Sequence, residues 1–222
     1  VMRLVIPLVQ KLLIPWIIPK KEFTKFGINS KDIIRYRAID AAIIAKRKIS
    51  KKTKRSYKES KRKVILLRVE EEYASYSTKK RPAIPIIKEV IKNFCDEEIV
   101  VMGRYASQVR YLDQTFGKKI RVLSNVVDSK ILLENASIFI GSGGTMTAES
   151  ALLGVPTISY NAMPNRIEDY LVSKKIVTRC MTPNEITERI SVVFQLTSYR
   201  GKRSEYSRRM QIKKFVSSLE DP

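Results

Sequence analysis

The sequence predicts an α/β fold: a Rossmann-like parallel sheet with helices on both faces. Three observations carry this. From Lys63 onward, short apolar runs alternate with helix-length segments, the pattern of βαβ units. The runs, such as Val64-Ile65-Leu66-Leu67, are apolar without alternation, as strands buried on both faces are. A glycine-rich turn, Gly141-Ser142-Gly143-Gly144, joins one such run directly to a helix.

The elements follow in order. Residues 1–45 hold apolar segments broken by Pro7, Pro15, Pro19 and Gly27, and the first of them, Val1 to Pro19, reads as a strand and short helix of a buried layer. Arg3, Gln10, Lys11 and the prolines interrupt this stretch, so it lacks the ~20 uninterrupted apolar residues of a membrane span. No small-residue cleavage site marks it as a signal peptide. A chain opening inside a hydrophobic element reads as a fragment. Residues 46–63 carry eleven basic residues and one acid, Glu59, and read as a solvated linker or loop. After the Val64 run, residues 82–94 have helical spacing through Ile84, Ile87, Val90, Ile91 and Phe94. Ile99–Met102 reads as a strand, 104–116 as a helix, and Ile120–Leu123 as a strand. Residues 128–135 form a short helix, Ile138–Ile140 a strand, and 145–153 a helix. Then come a strand at 155–159, a helix at 167–172 and a short strand at 176–177. Thr182, Pro183 and Glu185 begin another helix as N-cap, first position and capping-box acid. A separate basic helix over about 203–217 ends the chain, within a C-terminal segment 197–222.

Composition narrows the chemistry. The 222 residues suffice for one sizeable α/β domain with extra elements. Forty-three Lys and Arg against 22 Asp and Glu give a formal net charge of +21, a field that attracts anionic partners. Histidine is absent, which removes the commonest general base and the Ser-His and Cys-His nucleophile systems. Cys95 and Cys180 are far apart, have no metal-type spacing, and read as small buried hydrophobes of a reduced compartment. No resident metal or cofactor is expected, and no catalytic residue is assigned.

The stretch from Ser137 to Pro156 carries the chemistry. A strand ends in the Gly141–Gly144 turn and a helix starts at Thr145. Glycines let backbone approach a phosphate, and a helix N-terminus offers free N–H groups and a positive dipole end. Ser142 and Thr145 add hydroxyl donors. Alone, the turn is neither a G-x-G-x-x-G nor a Walker loop, and a tight turn without a ligand explains it equally. Glu149, four residues past Thr145 on a stretch of small and apolar residues, adds a carboxylate where ribose hydroxyls would lie beside a bound diphosphate.

The run Gly-Ser-Gly-Gly-Thr-Met-Thr-Ala-Glu-Ser-Ala-Leu-Leu-Gly-Val-Pro-Thr-Ile-Ser from Gly141 resembles the C-terminal-domain signature of GT-B-type proteins. It is most similar to an uncharacterised, largely archaeal glycosyltransferase-like family. More distantly it resembles the UDP-N-acetylglucosamine 2-epimerases and the lipid-linked peptidoglycan N-acetylglucosamine transferase. The resemblance implies a Rossmann-like nucleotide-sugar domain over 64–196, with 1–45 as the remnant of an N-terminal domain and inter-domain segment. It implies diphosphate contacts from Gly141, Ser142, Gly143, Gly144 and Thr145, and ribose contacts from Glu149. Val126 of the Val126-Val127-Asp128 segment would face the nucleobase, and Arg68 and Arg104 the inter-domain cleft. Arg35–Asp40 resembles the family's inter-domain stretch. A full GT-B protein needs a second such domain, so catalysis is expected to require an N-terminal half.

The expected partner is a UDP-sugar or similar nucleotide sugar, in a cytoplasmic protein with access to an anionic membrane surface or a lipid-linked acceptor. Two other functions remain open. One is a non-catalytic basic module that binds anionic membrane or RNA; Tyr57 is the only aromatic within its basic block. The other is a UDP-sugar 2-epimerase-like enzyme, which the absent histidine disfavours. Glu70-Glu71-Glu72, after the first strand, could bind a metal or serve as a base at the cleft, and reads rather as a solvated loop. Tyr73 and Tyr76 suit turn packing as well as stacking. Asn165, Arg166 and Glu168 suit a helix start as well as sugar contacts.

Overall fold

The computed structural model describes residues 2–49, 62–73, 81–124, 127–160 and 162–218, with side chains at all of them except 198–206. Most of the basic block, including Tyr57, lies outside these residues, as do Tyr76 and Val126.

Six parallel strands form the main sheet: β3 (Val64–Arg68), β4 (Glu98–Met102), β5 (Arg121–Leu123), β6 (Ile138–Gly141), β7 (Thr157–Tyr160) and β8 (Val177–Cys180). Their spatial order is β5-β4-β3-β6-β7-β8. The chain winds outward from β3 to one edge, returns to β6 and winds to the other edge. The reversal falls between β3 and β6, whose register pairs Leu67 with Ile140. In open α/β sheets ligands bind at this switch point, beyond the carboxyl ends of the strands.

The apolar runs fill both faces. Ile65, Leu67, Val101, Ile138 and Ile140 point to one side, where helix α4 (Ala83–Asn93) presents Ala83, Ile86, Ile87 and Val90 at helical spacing. Helix α5 (Ala106–Phe116) adds Leu112 and Phe116 to this layer. Val64, Leu66, Val100 and Phe139 point the other way, against Leu132 and Leu133 of α6 (Ser129–Glu134) and Met146 of α7 (Thr145–Leu152). Each fully buried aliphatic side chain contributes roughly 1.5–3 kcal/mol, so the two layers hold the sheet from both sides. Helix α8 (Arg166–Ser173) connects β7 to β8.

Helix α9 runs unbroken from Pro183 to Ser218, where the sequence predicted two helices. Thr182 accepts the Glu185 N–H at 3.2 Å, and Glu185 accepts the Met181 N–H at 2.8 Å, which closes the predicted cap. Ile186, Ile190, Val193 and Phe194 pack with α4, while Ile212 and Val216 pack with α7 and α8 across the sheet. At 1.5 Å per residue such a helix spans ~54 Å, long enough to serve both layers. No helix among the described residues is long and apolar enough to cross a membrane.

Ahead of the main sheet, helix α1 (Met2–Val5) leads into a two-stranded parallel pair, β1 (Leu12–Pro15) and β2 (Ile33–Tyr36), connected through α2 (Lys21–Thr24). Ile6, Ile14, Phe23, Ile28 and Ile33 form a small separate core. Helix α3 (Ala42–Lys46) then packs on α7 through Ala42. Cys180 is buried as expected; Cys95 is exposed, because the chain turns at the surface between α4 and β4.

Candidate functional site

The Gly141–Gly144 turn lies at the carboxyl end of β6, at the switch point. Gly143 and Gly144 both have φ of +79°, a region that costs an L side chain roughly 1–2 kcal/mol. They differ in surroundings. A Cβ on Gly143 would stand 2.7 Å from both Ala162 Cβ and Glu168 Oε2, so only glycine packs there. A Cβ on Gly144 would meet nothing within 4 Å. Gly144 is the N-cap of α7 and has no side chain to occupy the orphan amides of the first turn. Gly144 and Thr145 are exposed and Ser142 and Gly143 half-buried, so a ligand oxygen can reach backbone N–H groups at the positive end of the helix.

One turn along α7, Glu149 is 9% exposed. Burial raises its carboxyl above the ordinary value, opposed by a hydrogen bond from Ser129 and by the charges of Arg68 and Arg47. Arg68 ends β3, across the switch point from Gly141, and its Nη1 is 3.3 Å from Met146 Sδ. Burial and the neighbouring Arg104 disfavour the charge on Arg68, while Glu149 and Glu71 favour it. Arg104 follows β4, with its Nη1 4.0 Å from Glu71 Oε2. The fold thus brings Arg68, Arg104, Glu149 and the glycine turn to one end of the sheet. Val126 is outside the described residues; its neighbour Val127 packs against the α6 layer.

Three residues take roles that the sequence reading did not assign to them. Arg47 reaches in from the segment after α3 and pairs with Asp128 at 2.5 Å. Asp128 also caps α6 by accepting the Lys130 N–H at 2.9 Å, so it ties the segment after α3 to the Glu149 side of the crevice. Arg47 looked like one charge in a basic block, and nothing local singled it out. The third is Thr147, 2% exposed, whose Oγ1 has no hydrogen-bond partner among the described residues. It lines a cavity of about 210 Å³ beside the turn, together with Asp40, Gly144, Thr145, Asn165 and Glu168. In the Arg35–Asp40 stretch, Ile39 is buried against α7 and α8, and Tyr36 donates to Asp40 at 2.5 Å.

The acidic run after β3 is a correction. Glu70 is 6% exposed, not solvated: it accepts the Ala83 N–H at 3.1 Å at the start of α4, where Pro82 supplies no side-chain cap. Tyr160 OH lies 3.2 Å from its Oε2, and burial pushes the Glu70 carboxyl up. Glu71 accepts from Tyr105, which holds its carboxyl below the ordinary value, and Glu72 pairs with Arg81 at 2.8 Å. Tyr73 packs edge-on against Tyr105, with ring centroids 4.8 Å apart.

The Asn165–Glu168 stretch is a helix start. Asn165 accepts the Glu168 N–H at 2.8 Å. Glu168, 4% exposed, accepts from Ser159 at 2.9 Å and from Arg179 at 3.1 Å. Arg166 reaches Glu22 of α2 at 3.4 Å.

Known proteins share this architecture. A glycosyltransferase from Rickettsia africae superposes with a TM-score of 0.62 at 12% identity, over 95% of this chain and 60% of that one. The UDP-GlcNAc 2-epimerase of Neisseria meningitidis, solved with UDP-GlcNAc bound, gives a TM-score of 0.60 at 18% identity, over 98% and 62%. The six-stranded parallel sheet with its flanking helices is similar to the GT-B glycosyltransferase fold. Uncharacterized protein MJ0665 of Methanocaldococcus jannaschii is 33% identical over 121 residues, 54% of this chain and 34% of that protein. The chain therefore spans about a third of that relative and about three fifths of the two solved structures. Residues 1–216 match the model of the family described as Protein of unknown function (DUF354), and the chain belongs to that family.

Proposed function

We propose that the chain is the sugar-nucleotide-binding half of a glycosyltransferase-like protein, with a UDP-sugar as ligand. The observation that carries this reading is the open turn at Gly144 and Thr145, with the buried Glu149 one helical turn behind it and Arg68 facing it across the switch point. The diphosphate would take backbone N–H groups of the turn, hydroxyls of Ser142 and Thr145, and the charge of Arg68. Preorganised donors of this kind stabilise a leaving diphosphate. Glu149, whose carboxyl burial pushes up against the opposing pull of Ser129, Arg68 and Arg47, would accept hydrogen bonds from ribose hydroxyls. The cavity with Asp40, Thr147 and Asn165 offers a carboxylate, a hydroxyl and an amide on the sugar side.

The Neisseria meningitidis epimerase was solved with UDP-GlcNAc, and the Methanocaldococcus jannaschii epimerase with UDP-GlcNAc and UDP. These ligands support a nucleotide sugar as the class to test. A transferase reading suits a chain without histidine better than an epimerase reading. The chain would bind without turnover until a second domain supplies acceptor contacts and a base.

Calorimetric titration with UDP and UDP-N-acetylglucosamine tests the reading. Binding that weakens at least about tenfold in Glu149→Ala, a loss of ~1.4 kcal/mol, supports it. Absence of binding by either nucleotide, or binding indifferent to Glu149, sinks it.

A further inference from the structure

Behind the nucleotide crevice lies a larger cavity, about 730 Å³, between the segment after α3, the outer face of α6 and the end of α9. Its polar lining is mostly cationic, Lys46, Arg47, Lys48, Lys130, Arg209 and Lys213 beside Ser217, with Glu134 as the one acid among the described lining residues. The wall is built rather than incidental. Lys130, 6% exposed, donates to the backbone carbonyls of Ala45, at 2.8 Å, and Arg47, and so holds the 45–49 segment against α6. Arg209 Nη2 donates to the Glu134 carbonyl at 3.2 Å, which holds α9 to the same helix. The floor is apolar, formed by Leu152, Leu153, Met210 and Val216.

We propose that this groove binds the phosphate or diphosphate headgroup of an amphiphile, with the headgroup on the cationic rim and the start of its apolar chain on the floor. A concave site lined by one sign of charge concentrates field and anions. The mixture of guanidinium and ammonium groups suits phosphate oxygens. The described lining contains no aromatic side chain, and so no stacking platform of the kind that single-stranded nucleic acid uses. Lys46–Lys48 also open the basic block, so the groove gives part of that charge a defined task. Arg47, paired with Asp128, is shared with the Glu149 side of the crevice, but the groove does not need a bound nucleotide.

The test uses phosphatidylcholine vesicles with and without phosphatidic acid, together with a short-chain soluble phosphatidic acid. The variant is Lys48→Glu/Lys213→Glu, two exposed rim residues. The control is Lys118→Glu/Lys119→Glu, an equal charge change on exposed residues outside the cavity. At ~1 kcal/mol for each basic residue near an anionic surface, the groove variant should lose at least about tenfold in affinity for the phosphatidic acid probes. The control should lose less than about twofold, and UDP titration should be unchanged in both. The single change Lys213→Gln should weaken binding in the same direction, by less, and keeps the test valid if the double variant misfolds. Binding to the soluble probe alone assigns a free amphiphile; binding to phosphatidic acid vesicles as well assigns a bilayer headgroup. Equal losses in groove variant and control reduce the effect to the general charge of +21 and overturn the proposal. So does failure of both probes, or groove-dependent binding of a short RNA in preference to them.

Discussion

Two buried glutamates flank the glycine turn, and they do different work. Glu168, on the α8 side, is paired: its Oε1 accepts from the Ser159 hydroxyl and the Arg179 guanidinium, Asn165 Nδ2 lies 3.5 Å from its Oε2, and that oxygen packs where a Gly143 side chain would be. Glu149, on the α6 side, has Ser129 as a hydrogen-bond donor, while Arg68 and Arg47 act on it electrostatically. Burial costs its charge more than these neighbours return, so its carboxyl is pushed up. A fully paired buried carboxylate braces the fold. A buried carboxylate whose surroundings leave a deficit at the mouth of a crevice is a candidate for ligand contact.

The comparison can be broken in four ways. The largest expected effect is Glu168→Ala, which strips Arg179 and Ser159 of a common acceptor. Leaving the buried Ser159 hydroxyl without its acceptor costs roughly 1–3 kcal/mol; Arg179 is partly exposed and keeps Asp169 at 2.9 Å, so the loss should be about 3 kcal/mol in denaturant unfolding, the upper end of that range. A loss below about 1 kcal/mol would remove Glu168 from its bracing role. Next, Gly143→Ala should cost about 2 kcal/mol through its positive φ and its collision with Ala162 and Glu168. Gly144→Ala, at the same φ in open space, should cost about 1 kcal/mol and weaken UDP binding more than Gly143→Ala weakens it per unit of stability lost.

Third, Glu149→Gln should weaken UDP about tenfold, ~1.4 kcal/mol, without lowering stability at neutral pH. The contrast with Glu168→Ala is the point: one change should move binding, the other folding. The smallest effect is in pH. A carboxyl raised in the folded state from the ordinary 4.5 binds its proton more tightly there than in the unfolded chain. Its contribution favours folding at low pH and is lost as pH rises through the folded value. The melting temperature of Glu149→Gln relative to the parent chain should therefore rise as pH increases from about 4 to 7. A difference that is flat in pH would show that Glu149 is not strained by burial.

Much of this arrangement was legible because it is local. The strand runs, the Thr182–Glu185 cap and the Gly141–Thr145 turn each declare themselves within a few residues. Glu70 was misread because its partners, the Ala83 N–H and Tyr160, are 13 and 90 residues away. The break imagined within α9 reflected a change from apolar to basic composition, but helical hydrogen bonding continues through it. Arg47 was hidden because charge patterning cannot tell one lysine or arginine in a run from the next.

The sequence by itself determined the parallel sheet, the switch-point turn and the carboxylate one helical turn behind it. Periodicity and glycine placement are properties of neighbouring residues, and a short window of chain contains them. Tertiary structure alone decided which carboxylates are paired, which arginines meet Glu149 and where the basic surface closes into a groove. Those outcomes depend on groups tens of residues apart meeting in a low-dielectric interior, where a partner's presence or absence sets the energy of each charge.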